Sequence, residues 1–81
     1  MQAYFFHWTK EIVEHWKENH VSPEDFEHVV QDPFSQATFS RSTRRLARIG
    51  VTDNGRVLFC VFEWVDQNQT QIEPITAYEI D

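Results

Sequence analysis

Asp53-Asn54-Gly55 constrains the fold of this chain more than any other three residues. Asparagine and glycine accept the positive φ that a tight turn demands, so two β-strands are expected to meet there as a hairpin. The strand before the turn alternates, with Arg45, Ala47, Ile49 and Val51 on one side and Arg44, Leu46, Arg48 and Gly50 on the other. The strand after it, Arg56 to Val65, is apolar on both faces: Val57, Phe59, Val61 and Val65 on one, Leu58, Cys60, Phe62 and Trp64 on the other. A strand that needs cover on both sides belongs in the middle of a sheet.

The flanking segments supply elements to pack against this hairpin. Tyr4 to Trp8, with four aromatic residues around His7, has the content of a short strand and is placed at a sheet edge. Thr9 is a helix N-cap, and KEIVEHWKENH sets Ile12, Val13, Trp16 and His20 at helical spacing, with Lys10, Glu14, Lys17 and Glu18 turned away. The second helix starts more sharply, with Ser22 as cap, Pro23 in the first helical position and Asp25 three residues after the cap. Val21 and Phe26 are spaced as a hydrophobic staple, and Phe26, Val29 and Val30 form the apolar stripe. Asp32-Pro33 ends this helix, because the residue before proline avoids the helical region. The residues between Phe34 and Arg44 receive no element of their own. Asp66 to Gln69 form a polar turn, and Gln71 to Glu79 a last strand in which Pro74, lacking an N–H, needs a bulge or an edge.

The expected architecture is α+β in the order β-α-α-β-β-β, a helical hairpin packed on one face of a small antiparallel sheet, as one domain over residues 1–81. The other face is left for function. Phe62, Trp64 and Tyr78 are expected there, an aromatic patch beside the arginines.

Eighty-one residues support one modest core, and 41% apolar content with two glycines and three prolines marks a globular chain. No apolar run reaches the roughly eighteen residues of a membrane span, and MQAYFFHWTKE lacks the basic-then-apolar order of a secretion signal, so a cytoplasmic protein without membrane contact is expected. The lone Cys60 lies in the apolar strand and reads as a small buried hydrophobe rather than a nucleophile. His7, His15, His20 and His28 show none of the tight pairing of zinc ligands, and neither a metal nor another cofactor is expected. The net charge of −6 is polarised: Arg41, Arg44, Arg45, Arg48 and Arg56 are five of the seven basic residues, so positions 41–56 carry +4 and the remainder −10.

The strings Phe6-His7-Trp8, Val21-Ser22, Asp32-Pro33, Arg45-Leu46-Ala47-Arg48-Ile49-Gly50, Gly55-Arg56-Val57-Leu58 and Ile75-Thr76-Ala77 follow one another over most of the chain. In that order they resemble the BrnT family of bacterial type II toxins, small RelE-like ribonucleases paired with a DNA-binding antitoxin. The resemblance implies metal-independent RNA cleavage, on or near ribosomes, restrained by a ribbon-helix-helix antitoxin that covers the active face. Such cleavage needs a base for the 2′-OH, cations for the phosphate and a donor for the leaving oxygen. On that reading Arg45 and Arg48 hold phosphate and Tyr78 or Glu79 transfers protons. Arg56 assists from the turn, and Arg41, Arg44, Trp64 and His20 join it in contacting RNA or the partner.

The chain also departs from the family pattern. Glu18-Asn19-His20 stands where the family typically has lysine-histidine-glycine, Tyr78 stands where the last strand usually ends in arginine, and no basic helix follows before Asp81. Each change lowers attraction for RNA. A second function therefore stands beside the first: a non-catalytic module of the same fold that binds a protein partner. A third is a homodimer joined through Tyr78, Trp64 and Phe62. The arginines themselves have two readings, a phosphate clamp or internal pairs with the chain's acids.

Overall fold

The computed structural model describes residues 4–80. Strand β1 (Phe5–Phe6) is followed by helices α1 (Lys10–Trp16) and α2 (Pro23–Gln31), then by strands β2 (Gln36–Ser40), β3 (Arg45–Val51), β4 (Val57–Trp64) and β5 (Gln71–Glu79). The five strands form one sheet in the order β1-β5-β4-β3-β2, antiparallel throughout except for β1, which lies parallel to β5. The α+β class and the central place of β4 are as the residue pattern implies.

The helix hairpin is set by its caps. Thr9 Oγ1 accepts from Ile12 N at 3.2 Å, and Ser22 Oγ accepts from Asp25 N at 3.2 Å with Pro23 behind it. Val21 and Phe26 are both buried, as a staple requires. Helix α1 is shorter than its periodicity: Lys17–Asn19 tightens to a 3-10 turn, and His20 takes a left-handed conformation at φ 56°. That residue reverses the chain so that Val21 re-enters the core, and Asn19 Nδ2 donates to Ala77 O at 3.2 Å to pin the reversal to β5.

Strand β2 has no counterpart in the sequence reading. Its connection to β3, Arg41-Ser42-Thr43-Arg44, contains neither glycine nor asparagine; Arg44 itself adopts φ 57°, with its N–H donating to Ser40 O at 2.7 Å. The β3–β4 turn is a three-residue loop, closed by Thr52 N to Arg56 O at 2.8 Å and Gly55 N to Thr52 O at 3.0 Å. Gly55 alone takes positive φ there (84°), while Asn54 caps the turn through a side-chain hydrogen bond with Thr52. In β5 the pairing jumps from Val61–Thr76 to Phe62–Pro74, so Ile75 is an extra residue and Pro74 sits at a bulge.

Between helices and sheet lies an aromatic core. Trp16 and Phe26 are buried with ring centroids 5.0 Å apart, and Trp8 meets them at 5.2 and 5.5 Å in edge-on contacts. Trp8 Nε1 donates to Glu27 Oε2 at 2.6 Å, so the indole also has its polar partner. Leu58, Cys60, Phe62, Ile72 and Ala77 close the core from the sheet side. Phe62 and Trp64 therefore belong to the helix-facing side and not to the open face: their parity matches Leu58 and Cys60, which the helices cover.

The end of α2 and Ser35 just after it pack tightly against β3 at Gly50. A Cβ there would lie 2.7 Å from the Ser35 Cβ and 3.0 Å from a Val29 methyl. Gly50→Ala is expected to cost about 1–3 kcal/mol through overpacking, seen as a lower urea midpoint with an unchanged slope.

Candidate functional site

Among the described residues, no helix or strand lies over the face of the sheet away from the helices. Pairing sets Ile49, Phe59 and Tyr78 in one row, Val51 and Val57 beside them, and Ala47, Val61 and Thr76 in the next row. The Phe59 and Tyr78 rings stack at 5.3 Å with 26° between planes. Val51 is 50% exposed and Tyr78 46%, whereas Ala47 and Val61, short side chains among longer neighbours, are 1% exposed. Farther along, Glu63 pairs across the ladder with Glu73, and Arg45 Nε stands 2.9 Å from Glu63 Oε1 without an aligned hydrogen bond. The result is an apolar surface with a charged rim, acidic by one residue.

The five arginines divide four ways. Arg45 is on the open face, held by Glu63. Arg48 is paired with Cys60 in the ladder, which puts it on the helix side; its Nε donates to Ser35 Oγ at 3.1 Å and its Nη2 to Ser35 O at 2.6 Å. Ser35 Oγ in turn donates to Val29 O at 2.6 Å, so Arg48 locks the end of α2 to the sheet. Arg56 reaches to the helix hairpin, with Nη1 donating to His20 O at 2.7 Å, Nε to Glu79 Oε1 at 3.1 Å, and Asp25 at 3.7 Å. Arg41 and Arg44 are exposed at the β2–β3 turn and have no ion pair among the described residues.

The four residues assigned to RNA chemistry are thus not brought together. Arg45 and Tyr78 share the open face, but Arg45 lies four residues along β3 from Ile49, the residue level with Tyr78; at roughly 3.3 Å per residue that is about 13 Å. Arg48 and Glu79 face the helix side, where each already has a partner. Residues three apart on a strand point to opposite faces, so Arg45 and Arg48 form no joint clamp.

Trp64 stands 5.3 Å from the Tyr4 ring and 5.5 Å from Phe62, at the end of the helix side, and lines a groove of about 250 Å³ with Phe39, Arg44, Arg45, Leu46, Phe62 and Glu63. His20 opens on a cleft of about 390 Å³ between the helices, along with Val13, Lys17, Val21 and Asp25. His7 Nε2 is 2.8 Å from Gln71 Oε1 and His28 is 3.6 Å from Asp53. Among the described residues no three histidine, cysteine or acidic side chains converge as a metal site. Burial pushes the Cys60 thiol up to about 12, with Asp25 adding to the effect, so no thiolate forms there at neutral pH. The Thr70 hydroxyl holds the Asp66 carboxyl below its usual value and fixes the β4–β5 turn.

Among protein families, curated proteins and solved structures, none matches the chain. The pairing makes one surface of apolar positions that are separate strand faces in the sequence: Ile49 and Val51 from β3, Val57 and Phe59 from β4, and Tyr78 from β5. The sequence signal for this surface is the second apolar face of β4, Val57, Phe59 and Val61. Replacing the two ladder arginines separates their roles: Arg48→Ala is expected to lower stability by about 1–3 kcal/mol by orphaning Ser35 O, and Arg45→Ala by well under about 1 kcal/mol, both read by chemical denaturation.

Proposed function

We propose that this chain binds a basic protein partner through the open face of its sheet, and that the partner is the antitoxin-like chain which the resemblance to BrnT implies. The observation that carries this reading is the uncovered apolar surface of Ile49, Val51, Val57, Phe59 and Tyr78. Exposed apolar surface bordered by charge is the anatomy of a protein interface, and stacked aromatics are frequent anchors in one. Complementarity supports a basic partner, because the rim is acidic at Glu63 and Glu73 and the whole chain carries −6. Placing Glu at Val51 or Tyr78 is expected to weaken capture of the neighbouring reading frame's product by at least tenfold in a binding titration, with the far-UV spectrum unchanged. Undiminished capture by both variants sinks the reading.

RNA cleavage is the second reading, favoured by the presence of Arg45 and the half-exposed Tyr78 on one face. On that reading the Tyr78 phenol would protonate the leaving 5′ oxygen while water takes the proton of the attacking 2′-OH. Arg45, drawn away from Glu63, would hold a neighbouring phosphate of the strand, since it lies too far along β3 to reach the one being cut. Expression is then expected to arrest growth, with Tyr78→Phe and Arg45→Ala each relieving it. Growth and RNA left intact by the parent chain would exclude it.

A further inference from the structure

The two edges of the sheet are not alike. Strand β1 offers two residues, too few to template another strand, whereas β2 ends the sheet with five, Gln36-Ala37-Thr38-Phe39-Ser40. Natural edges are guarded by charge, proline, bulges or a covering element. Strand β2 contains no charge and no proline, and it pairs with β3 in unbroken register. Large apolar side chains stand out on and beside it: Phe39 is 53% exposed and Phe34, just before the strand, 91%. The turns at its two ends are of opposite sign, with Asp32 preceding it and the unpaired Arg41 and Arg44 following.

We propose that β2 pairs antiparallel with β2 of a second copy of this chain, about a two-fold axis at Thr38, to make one continuous sheet. In that register Gln36 meets Ser40 of the second copy and Ala37 meets its Phe39, so each exposed ring covers a small residue. The same register brings the Arg41–Arg44 turn of each copy beside the Asp32–Phe34 turn of the other, joining opposite charges at both ends and giving Phe34 a neighbour. Parallel pairing would instead set the arginines of the two copies together. The axis is perpendicular to the sheet, so both open faces remain free and the pairing is independent of partner binding.

Light scattering from about 10 μM to about 1 mM, a range over which mass action populates a weak dimer, is expected to show the mean mass rising from 9.7 kDa toward twice that value. Ala37→Lys and Phe39→Lys, both at exposed positions, are expected to hold the chain monomeric with an unchanged fold by circular dichroism. Thr38→Cys is expected to cross-link under mild oxidation, because residues on the axis lie about 4.5–5.5 Å apart between Cα atoms, within disulfide reach. Cys60 is buried, and Glu24→Cys serves as the surface control. A chain monomeric throughout, Thr38→Cys cross-linking no faster than Glu24→Cys, or a dimer that survives Phe39→Lys but is lost on Tyr78→Glu would each overturn the proposal.

Discussion

Strand β4 is apolar on both sides, and the helices cover only one of them. On that side Leu58, Cys60 and Phe62 meet Trp16, Phe26, Val29 and Val30, and the caps at Thr9 and Ser22 hold the two helices over them. A single residue without a side chain, Gly50, allows the close approach. On the other side Val61 and Ala47 are hidden by their neighbours, but among the described residues no layer lies above Phe59, Ile49 and Val57. The geometry of the whole domain, and the surface it presents, follow from that asymmetry.

The basic residues show how charge patterning along a sequence is reworked by folding. Five arginines between positions 41 and 56 read as one patch, yet pairing sends Arg45 and Arg48 to opposite faces and Arg56 back to the helix hairpin. Arg48 satisfies a carbonyl and a hydroxyl at the end of α2 rather than an acid, and Arg56 gathers His20 O, Asp25 and Glu79 at one point. These bonds are structural in their effect: each ties a helix end to a strand. The cations left over, Arg41 and Arg44, sit at a turn tip beside an unguarded edge.

Much of the fold is legible in the residues because its signals are local. Caps, the proline at the start of α2, the break at Asp32-Pro33 and the alternation around the β3–β4 turn each act within a few residues. Strand β2 is not legible for the opposite reason. QATFS has a weak pattern and a turn without glycine, and it is a strand because β3 offers it a ladder. The open face lies between these cases: its apolar positions are visible in the sequence, but nothing local says which side a helix hairpin will choose, so Phe62 and Trp64, expected on the open face, lie under the helices instead.

The sequence alone determined where both helices begin and where the second one ends, the central strand, the hairpin around Gly55 and the need for a bulge or an edge at Pro74, since each rests on backbone conformation or periodicity over a short span. Tertiary structure decided which face of β4 was covered, which arginines were consumed by the fold and which strand became an open edge. Those outcomes depend on contacts between residues far apart in the chain, where parity on a strand fixes direction but only packing fixes the neighbour.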